Sequence, residues 1–220
     1  MEKKHIIRAV IFDMDGVLVD SEKLINAAAI AMFQEKGLTV RPADFLSFIG
    51  AGEDRYIGGV AEMYGFPLDI PAGKQRTYEI YLDMVTPRLE PFPGAVELVH
   101  ACRTAGLLVA VASSADAVKV RANLEKVNLP MPFWDAVITG QDVKNKKPAP
   151  DIFLATAERL SVPAFECVVV EDAVNGVQAA KAAGMRCVAV AQTFPPDRLT
   201  EADTVRNTIA DLSLLDLAPL

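Results

Sequence analysis

Residues 9–22 read AVIFDMDGVLVDSE. The apolar run 9–12 predicts a short strand that is buried on both faces, as the strands of a parallel sheet are. Asp13, Asp15 and Asp20 follow this run. Carboxylates so close together repel one another and resist burial unless a cation or hydrogen-bond donors compensate their charge. The stretch therefore predicts a buried strand whose carboxyl end requires a positively charged partner.

Similar apolar runs recur along the chain and alternate with longer helical patterns. We predict further strands over residues 107–112, 135–139, 167–171 and 187–191. We predict helices over residues 94–105, 116–127, 150–161 and 174–183. Strands that alternate with helices are typical of a parallel sheet covered by helices, so the predicted fold class is α/β.

The connection between strand 9–12 and strand 107–112 is much longer than one crossover helix requires. Residues 19–89 show helical patterns throughout, and Pro87, Pro91 and Pro93 indicate the linker that leads back to the sheet. We therefore predict a core formed by residues 1–18 and 90–220, with a helical insert over residues 19–89.

The composition restricts the class of partner. The chain has 220 residues, of which 51% are hydrophobic, and a net charge of −7 from 22 basic and 29 acidic residues. A nucleic-acid-binding protein needs a basic surface, which this balance disfavours. An acidic protein can still bind a small phosphate ester if a metal ion and a few basic groups lie in the site.

Cys102, Cys167 and Cys187 are odd in number and lie in apolar surroundings, which is typical of free buried thiols in a reducing compartment. The N-terminal stretch MEKKHIIRAV is too short in its apolar part for a signal peptide, and no run approaches the length of a membrane span. We expect a monomeric cytoplasmic protein with no nucleic-acid or membrane partner.

Polar residues follow four of the predicted strands at their carboxyl ends. In chain order they are Asp13 and Asp15, Ser113 and Ser114, the basic loop KNKKPAPD (144–151), and Glu171 with Asp172. Open α/β sheets bind their ligands at this edge, so these side chains are expected to meet in one site.

Each cluster also has a structural explanation when it is considered alone. Asp13 could begin a calcium loop, although Leu18 and Leu24 stand where that loop needs glycine and glutamate. Ser113 with Ser114 could cap a helix, KNKK could be a solvated charge run, and EDAVNG (171–176) could be an acidic helix N-terminus. Their occurrence together at successive strand ends favours one functional site.

Taken together, these motifs resemble those of the haloacid dehalogenase superfamily. The chain is similar to the branch with a helical cap after the first motif, and especially to β-phosphoglucomutases and phosphoglycolate phosphatases. The four matching motifs are FDMDGVLVDSE (12–22), Ser113 in VAVASS, Lys147 in KKPAPDIF, and EDAVNGVQAAKAAGM (171–185). The resemblance covers essentially the whole chain and implies a Rossmann-like core with an inserted cap.

The resemblance implies a role for each motif. Asp13 would be the nucleophile that forms an acyl phosphate, and Asp15 would protonate the leaving-group oxygen and later take a proton from water. The presence of Asp15 argues against the dehalogenase branch, whose motif lacks this second Asp. Ser113 would bind phosphate oxygens together with backbone amides of the following turn.

The same resemblance implies Mg²⁺ as cofactor, because a carboxylate that approaches a phosphate dianion needs positive charge nearby. The implied ligands are Asp13, the backbone carbonyl of Asp15, and Asp172, with Glu171 close by or bound to the metal through water. Lys147 would supply a second positive charge. Mg²⁺ and Lys147 would then compensate the carboxylates that follow the first strand.

Other residues near these motifs are candidates for the turn, the hinge and the substrate. Gly16 fits a turn close to phosphate, and Asp20 or Ser21 is predicted to cap the first insert helix. The stretch FIGAGEDRYIGG (48–59) resembles the cap loop that faces the active site in relatives, or it is an interhelical turn broken by glycine. The substrate-binding candidates are Gly16, Ser114, Gly50, Gly52, Glu53, Arg55 and Arg76.

Two positions depart from the mutase pattern. Ile25 stands where sugar-phosphate mutases of the family carry His, and Glu53 aligns with the Arg that holds the second phosphate; Arg55 or Arg76 could compensate. We therefore predict a Mg²⁺-dependent phosphatase that hydrolyses a small phosphate monoester of a metabolite, such as a sugar phosphate or a phosphoglycolate-like ester, through an aspartyl-phosphate intermediate. The alternatives are a β-phosphoglucomutase-type mutase and a regulatory or binding module without turnover.

Overall fold

A computed structural model describes residues 6–49 and 52–218. Its six strands form one parallel sheet in the order β3-β2-β1-β4-β5-β6. The strands are β1 (Ala9–Phe12), β2 (Leu108–Ala112), β3 (Ala136–Ile138), β4 (Cys167–Glu171), β5 (Arg186–Val190) and β6 (Thr204–Arg206). The prediction of an α/β, Rossmann-like fold is confirmed.

Most of the helices occupy the connections between the strands, and those after Arg206 follow the last strand, β6. They are α1 (Glu22–Glu35), α2 (Glu53–Met63), α3 (Ile70–Arg88), α4 (Ala95–Thr104), α5 (Ala117–Lys126), α6 (Asp151–Leu160), α7 (Val174–Ala182) and α8 (Leu214–Leu217). Short 3₁₀ helices cover Pro42–Phe48, Met131–Phe133, Ala164–Glu166, Pro196–Arg198 and Ile209–Asp211. Within the described ranges, none of these helices has the length and apolarity needed to cross a membrane.

The central strand β1 is buried on both faces, as its continuous apolar sequence predicts. Val10 and Phe12 pack into a core layer that includes residues of α4 and α5. Ala9 and Ile11 point to the other face and pack into a layer that includes residues of α6 and α7. Alternate side chains of this strand therefore pack into two separate hydrophobic layers, one on each face of the sheet.

Helices α1, α2 and α3 lie between β1 and α4 in sequence and pack on one another, and α3 also contacts α5. The segments that lead into and out of these helices run side by side. Val19 pairs with Pro91, and the Phe92 N–H donates to the Leu18 carbonyl at 3.0 Å. The division into a core (1–18 and 90–220) and a helical cap (19–89) stays a prediction.

Two local features differ from expectation. Strand β6 was not predicted, because its three residues TVR form a partly buried edge strand without an apolar run. Pro87 does not belong to the return linker; it lies in the last turn of α3.

Candidate active site

Three carboxylates meet at the carboxyl edge of the sheet. Asp13 follows β1 and its N–H donates to the Val170 carbonyl of β4 at 2.9 Å. Glu171 ends β4, and Asp172 comes next. Because β1 and β4 are neighbours, oxygen atoms of Asp13, Glu171 and Asp172 all lie within 4.8 Å of one another, and the three residues are buried.

Lys147 supplies positive charge to this acidic cluster. Its buried ammonium donates to Asp13 Oδ1 at 2.5 Å and to Glu171 Oε1 at 2.7 Å. Burial alone lowers the pKa of Lys147, but the charges of Asp13 and Glu171 outweigh it and raise the pKa above its ordinary value. The ammonium is therefore charged and ion-paired at neutral pH.

One ammonium does not balance three carboxylates. Burial, and then the neighbouring carboxylates, raise the pKa of Asp172, and burial is also the main cause of the raised pKa of Asp13. The donor set consists of oxygen atoms alone, which suits a hard divalent cation such as Mg²⁺. Gly16, at φ +82°, leaves room for this set, since a Cβ there would lie 1.9 Å from Asp172 Oδ2.

Glu171 is also fixed by the backbone that follows it. Its Oε2 accepts hydrogen bonds from the N–H groups of Asp172 at 2.7 Å and Ala173 at 2.8 Å. Gly176 packs against the same carboxylate so closely that a Cβ would lie 1.7 Å from Glu171 Oε1. Both oxygens of Glu171 are therefore already engaged, whereas Asp172 makes no ion pair with Lys147.

Asp15 is held between Ser21, near the start of the predicted insert, and Lys119 of α5. The Ser21 hydroxyl donates to Asp15 Oδ1, and Lys119 Nζ donates to Asp15 Oδ2 at 2.9 Å. Ser21 does occupy the N-cap position of α1, but its side chain makes no capping hydrogen bond. Asp20 pairs instead with exposed Lys23 at 2.9 Å.

The second motif lies next to the cluster. Ser113 is buried at the end of β2, where its N–H donates to the Ile138 carbonyl at 3.1 Å and its Oγ accepts from the Ala115 N–H at 3.2 Å. Ser113 and Ser114 line the same cavity as the carboxylates and Lys147. All four sequence motifs therefore converge on one place.

This cavity has a volume of about 300 Å³, which lies at the lower end of the range for small-molecule sites. The insert contributes part of its wall, including the predicted residues Gly52 and Glu53. The Glu53 side chain is only 10% exposed, and its Oε1 lies 3.7 Å from Lys119 Nζ. Burial raises the pKa of Glu53.

Arg55 and Arg76, two of the predicted substrate-binding residues, do not line this cavity. Arg55 is exposed, pairs with Glu62 at 2.7 Å and lies over the Phe48 ring. Two positions on a helix differ by about 200°, so Arg55 and inward-facing Glu53 point to different sides of α2. Arg76 is exposed and pairs with Glu35 at 2.8 Å. The remaining candidate, Gly50, lies outside the described residues.

Some residues of the cavity were not predicted as site residues. Among them are Glu22, Tyr56, Lys119 and Arg198. For Lys119 a signal existed: the buried positions of α5 are 119, 120, 123 and 124, so Lys119 and Asn123 are polar residues on the buried face of an amphipathic helix. Glu22 lies in the first turn of α1, where burial raises its pKa to about 7.

The sequence model of the haloacid dehalogenase-like hydrolase family matches residues 10–190, which include the four motifs described above. The chain belongs to this family. The resemblance inferred from its motifs is thus confirmed, and with it the prediction of a haloacid dehalogenase-type hydrolase.

Two named proteins are similar to this chain over most of its length. Protein SUPPRESSOR OF QUENCHING 1, chloroplastic, of Arabidopsis thaliana is 49% identical over 218 residues, which are 96% of this chain and 20% of that protein. Fructose-1-phosphate phosphatase YqaB of Escherichia coli is 34% identical over 182 residues, 82% of this chain and 94% of YqaB. The chain thus spans about a fifth of the first protein but nearly all of the second.

The same fold is found in CbbY from Rhodobacter sphaeroides, solved as a mutant in complex with xylulose-(1,5)bisphosphate. The TM-score is 0.90 at 26% identity, and the alignment covers 96% of this chain and 99% of CbbY. The helical insert and the sheet therefore both have counterparts in a solved haloacid dehalogenase-like structure.

Proposed function

We propose that the chain is a Mg²⁺-dependent phosphatase that hydrolyses a small phosphate monoester through an aspartyl-phosphate intermediate. The observation that carries this proposal is the buried contact of Lys147 with Asp13 and Glu171, beside Asp172 and at the end of a cavity that also holds Asp15. A carboxylate in this setting has an adjacent cation and a proton-transfer partner, which are the requirements for phosphoryl transfer.

The residues take the following roles. The Asp13 carboxylate attacks phosphorus and displaces the alcohol, while Asp15 transfers a proton to the departing oxygen. Asp15, now ionised, accepts a proton from the water that attacks the acyl phosphate and releases inorganic phosphate. Lys147 and Ser113 bind the phosphoryl oxygens and hold the nucleophile in place.

Asp13 and Asp172, with the backbone carbonyl of Asp15, would hold Mg²⁺. The excess negative charge of the buried cluster and its all-oxygen donor set support this assignment. When bound, the ion neutralises phosphate charge and orients the phosphoryl group. Glu171 supports the site through its bonds to Lys147 and to the backbone of residues 172 and 173.

A sugar or sugar-alcohol monophosphate is the substrate class that we favour. The name of the related fructose-1-phosphate phosphatase and the size of the cavity support it. Glu53 and Glu22 line the same cavity, where an ionised carboxylate would repel a second phosphate by roughly 1–4 kcal/mol at about 4 Å. Ile25 also lines this cavity and has no polar side-chain atom. These residues favour hydrolysis of a monoester over a mutase reaction.

A substrate panel tests the proposal. The purified chain should release phosphate from 4-nitrophenyl phosphate and from hexose or hexitol monophosphates with Mg²⁺, and should lose this activity in EDTA. Ca²⁺ should not replace Mg²⁺, because the larger ion admits additional oxygens around the attacking carboxylate.

The same panel contains β-glucose 1-phosphate with a trace of the bisphosphate. Faster formation of glucose 6-phosphate than of free phosphate would show a mutase. An absence of turnover with every ester would show a regulatory or binding module.

A further inference from the structure

Lys119 is a buried lysine outside the four motifs. It is the third residue of α5, and its side chain is 2% exposed. Its ammonium lies 2.9 Å from Asp15 Oδ2, 3.7 Å from Glu53 Oε1, and 5.8 Å from the centre of the Tyr81 ring. Burial opposes the charge, but the neighbouring carboxylates outweigh it and raise the pKa of Lys119 well above its ordinary value. A full positive charge is thus enclosed in the wall of the active-site cavity.

The contacts of Lys119 restrict the orientation of the Asp15 carboxyl group. The terminal torsion of an aspartate has a broad profile, so a carboxyl group without partners turns easily. Here the Ser21 hydroxyl donates to one oxygen of Asp15 and Lys119 donates to the other. Ser21 immediately precedes α1, whereas Lys119 belongs to α5, which follows β2. The carboxyl group is therefore held from both sides by residues distant from each other in sequence.

We propose that Lys119 is a positioning residue that aims the carboxyl group of Asp15 at the leaving-group oxygen and links it to Glu53 of the insert. This proposal rests on the proposed function, in which Asp15 transfers the proton. Among the described residues, Lys119 pairs with Asp15 and Glu53, whereas Asp13 and Glu171 pair with Lys147. Lys119 acts on the reaction through Asp15.

The competing explanation is purely structural: Lys119 could only neutralise Asp15 and Glu53, which burial would otherwise leave as uncompensated charges. The leaving group separates the two explanations. An alkoxide leaving group needs the proton from Asp15 as the phosphorus–oxygen bond breaks, whereas 4-nitrophenolate leaves with little help. A positioning defect therefore harms sugar esters much more than aryl esters, and a general loss of folded protein harms both equally.

The experiment measures kcat/KM of Lys119→Met with a hexitol monophosphate and with 4-nitrophenyl phosphate, in saturating Mg²⁺. Asp15→Asn provides the reference for complete loss of the proton donor. We expect Lys119→Met to lose at least about tenfold more activity on the hexitol ester than on the aryl ester, within the range of general acid catalysis. Equal losses on the two esters, or no loss on either, would overturn the proposal.

Two further variants keep the test decisive if Lys119→Met folds poorly. The double variant Lys119→Met/Glu53→Gln removes one of the two carboxylates that would be left unpaired, and should show the same selective loss. Lys119→Arg keeps the charge and should recover part of the hexitol-ester activity. Arg121→Met, which removes an exposed cation from the same helix, should behave as the wild type.

The activities of the wild type and of Asp15→Asn distinguish a wrong role for Lys119 from a wrong phosphatase assignment. If the wild type hydrolyses neither ester, the phosphatase assignment falls and this inference falls with it. If the wild type is active and Asp15→Asn shows the selective loss but Lys119→Met does not, only the role of Lys119 is refuted.

Discussion

Asp172→Asn is expected to make the metal-free protein more stable while removing its response to Mg²⁺. Lys147 bonds to Asp13 and Glu171 but not to Asp172, so the substitution breaks no ion pair with that lysine. It does remove one carboxylate from the buried cluster, in which oxygen atoms of the three carboxylates lie within 4.8 Å of one another. Asparagine has nearly the same shape, which leaves the packing unchanged.

The magnitude follows from the spacing of the charges. Two unit charges 4.8 Å apart repel by about 3.5 kcal/mol at an effective dielectric constant of about 20. Asp172 faces two such carboxylates, and the attraction of Lys147 offsets about one of them. The raised pKa of Asp172 means that a proton partly relieves the repulsion, so we expect a net gain of about 2 kcal/mol in the free energy of unfolding at pH 7.

Thermal unfolding in EDTA and in Mg²⁺ measures both effects. A gain of 2 kcal/mol corresponds to a rise of roughly 4–8 °C in Tm for a chain of this size. Mg²⁺ should raise the Tm of the wild type and have little effect on the variant. Asp83→Asn, an exposed change in α3, serves as the control. A variant that is less stable than the wild type in EDTA would refute the view that this cluster is strained by its own charge.

Three other changes have defined outcomes. Asp13→Asn should reduce kcat below a few per cent with an unchanged circular dichroism spectrum, and a larger residual activity would contradict its role as nucleophile. Tyr81→Phe removes a 2.6 Å hydrogen bond to buried Asn123 and should cost about 1–3 kcal/mol in urea unfolding; a change below about 0.5 kcal/mol would count against it. Burial raises the pKa of Glu22 from 4.5 to about 7, so the folded state binds more protons than the unfolded state over this interval. Stability therefore falls as the pH rises from about 5 to 8, by at most about 3 kcal/mol from this group, and Glu22→Gln should reduce that fall.

The carboxylate cluster was predictable because it depends on rules that act over short stretches of sequence. The apolar runs before Asp13 and Asp172 identify two buried strands from a few residues each. Because parallel strands end at the same edge of the sheet, both residues are expected there. The contact with Lys147 was predicted only through the resemblance to a family. No local pattern indicates that loop 144–151 brings this lysine, rather than Lys144 or Lys146, to Asp13.

The wall contributed by the insert was less predictable, because it depends on how separate helices face each other. Glu53 and Arg55 are two positions apart, yet one faces the cavity and the other pairs with Glu62 in solvent. That choice is set by the packing of α2 against α3 and the 3₁₀ helix Pro42–Phe48, which involves contacts between distant residues. Lys119 could have been noticed as a polar residue on an apolar face, but its contact with Glu53 could not have been predicted.

The segments that lead into and out of the helical insert run side by side, and this affects how much the length of the insert can vary. The Phe92 N–H and the Leu18 carbonyl are 3.0 Å apart, so the chain returns to the place it left. The entropic cost of closing a loop depends only weakly on its length, so moderate changes in the length of the segment between Leu18 and Phe92 alter that cost little. The segment between these points can therefore change in length at little entropic cost, provided that Ser21 keeps its hydrogen bond to Asp15 and Tyr81 its hydrogen bond to Asn123.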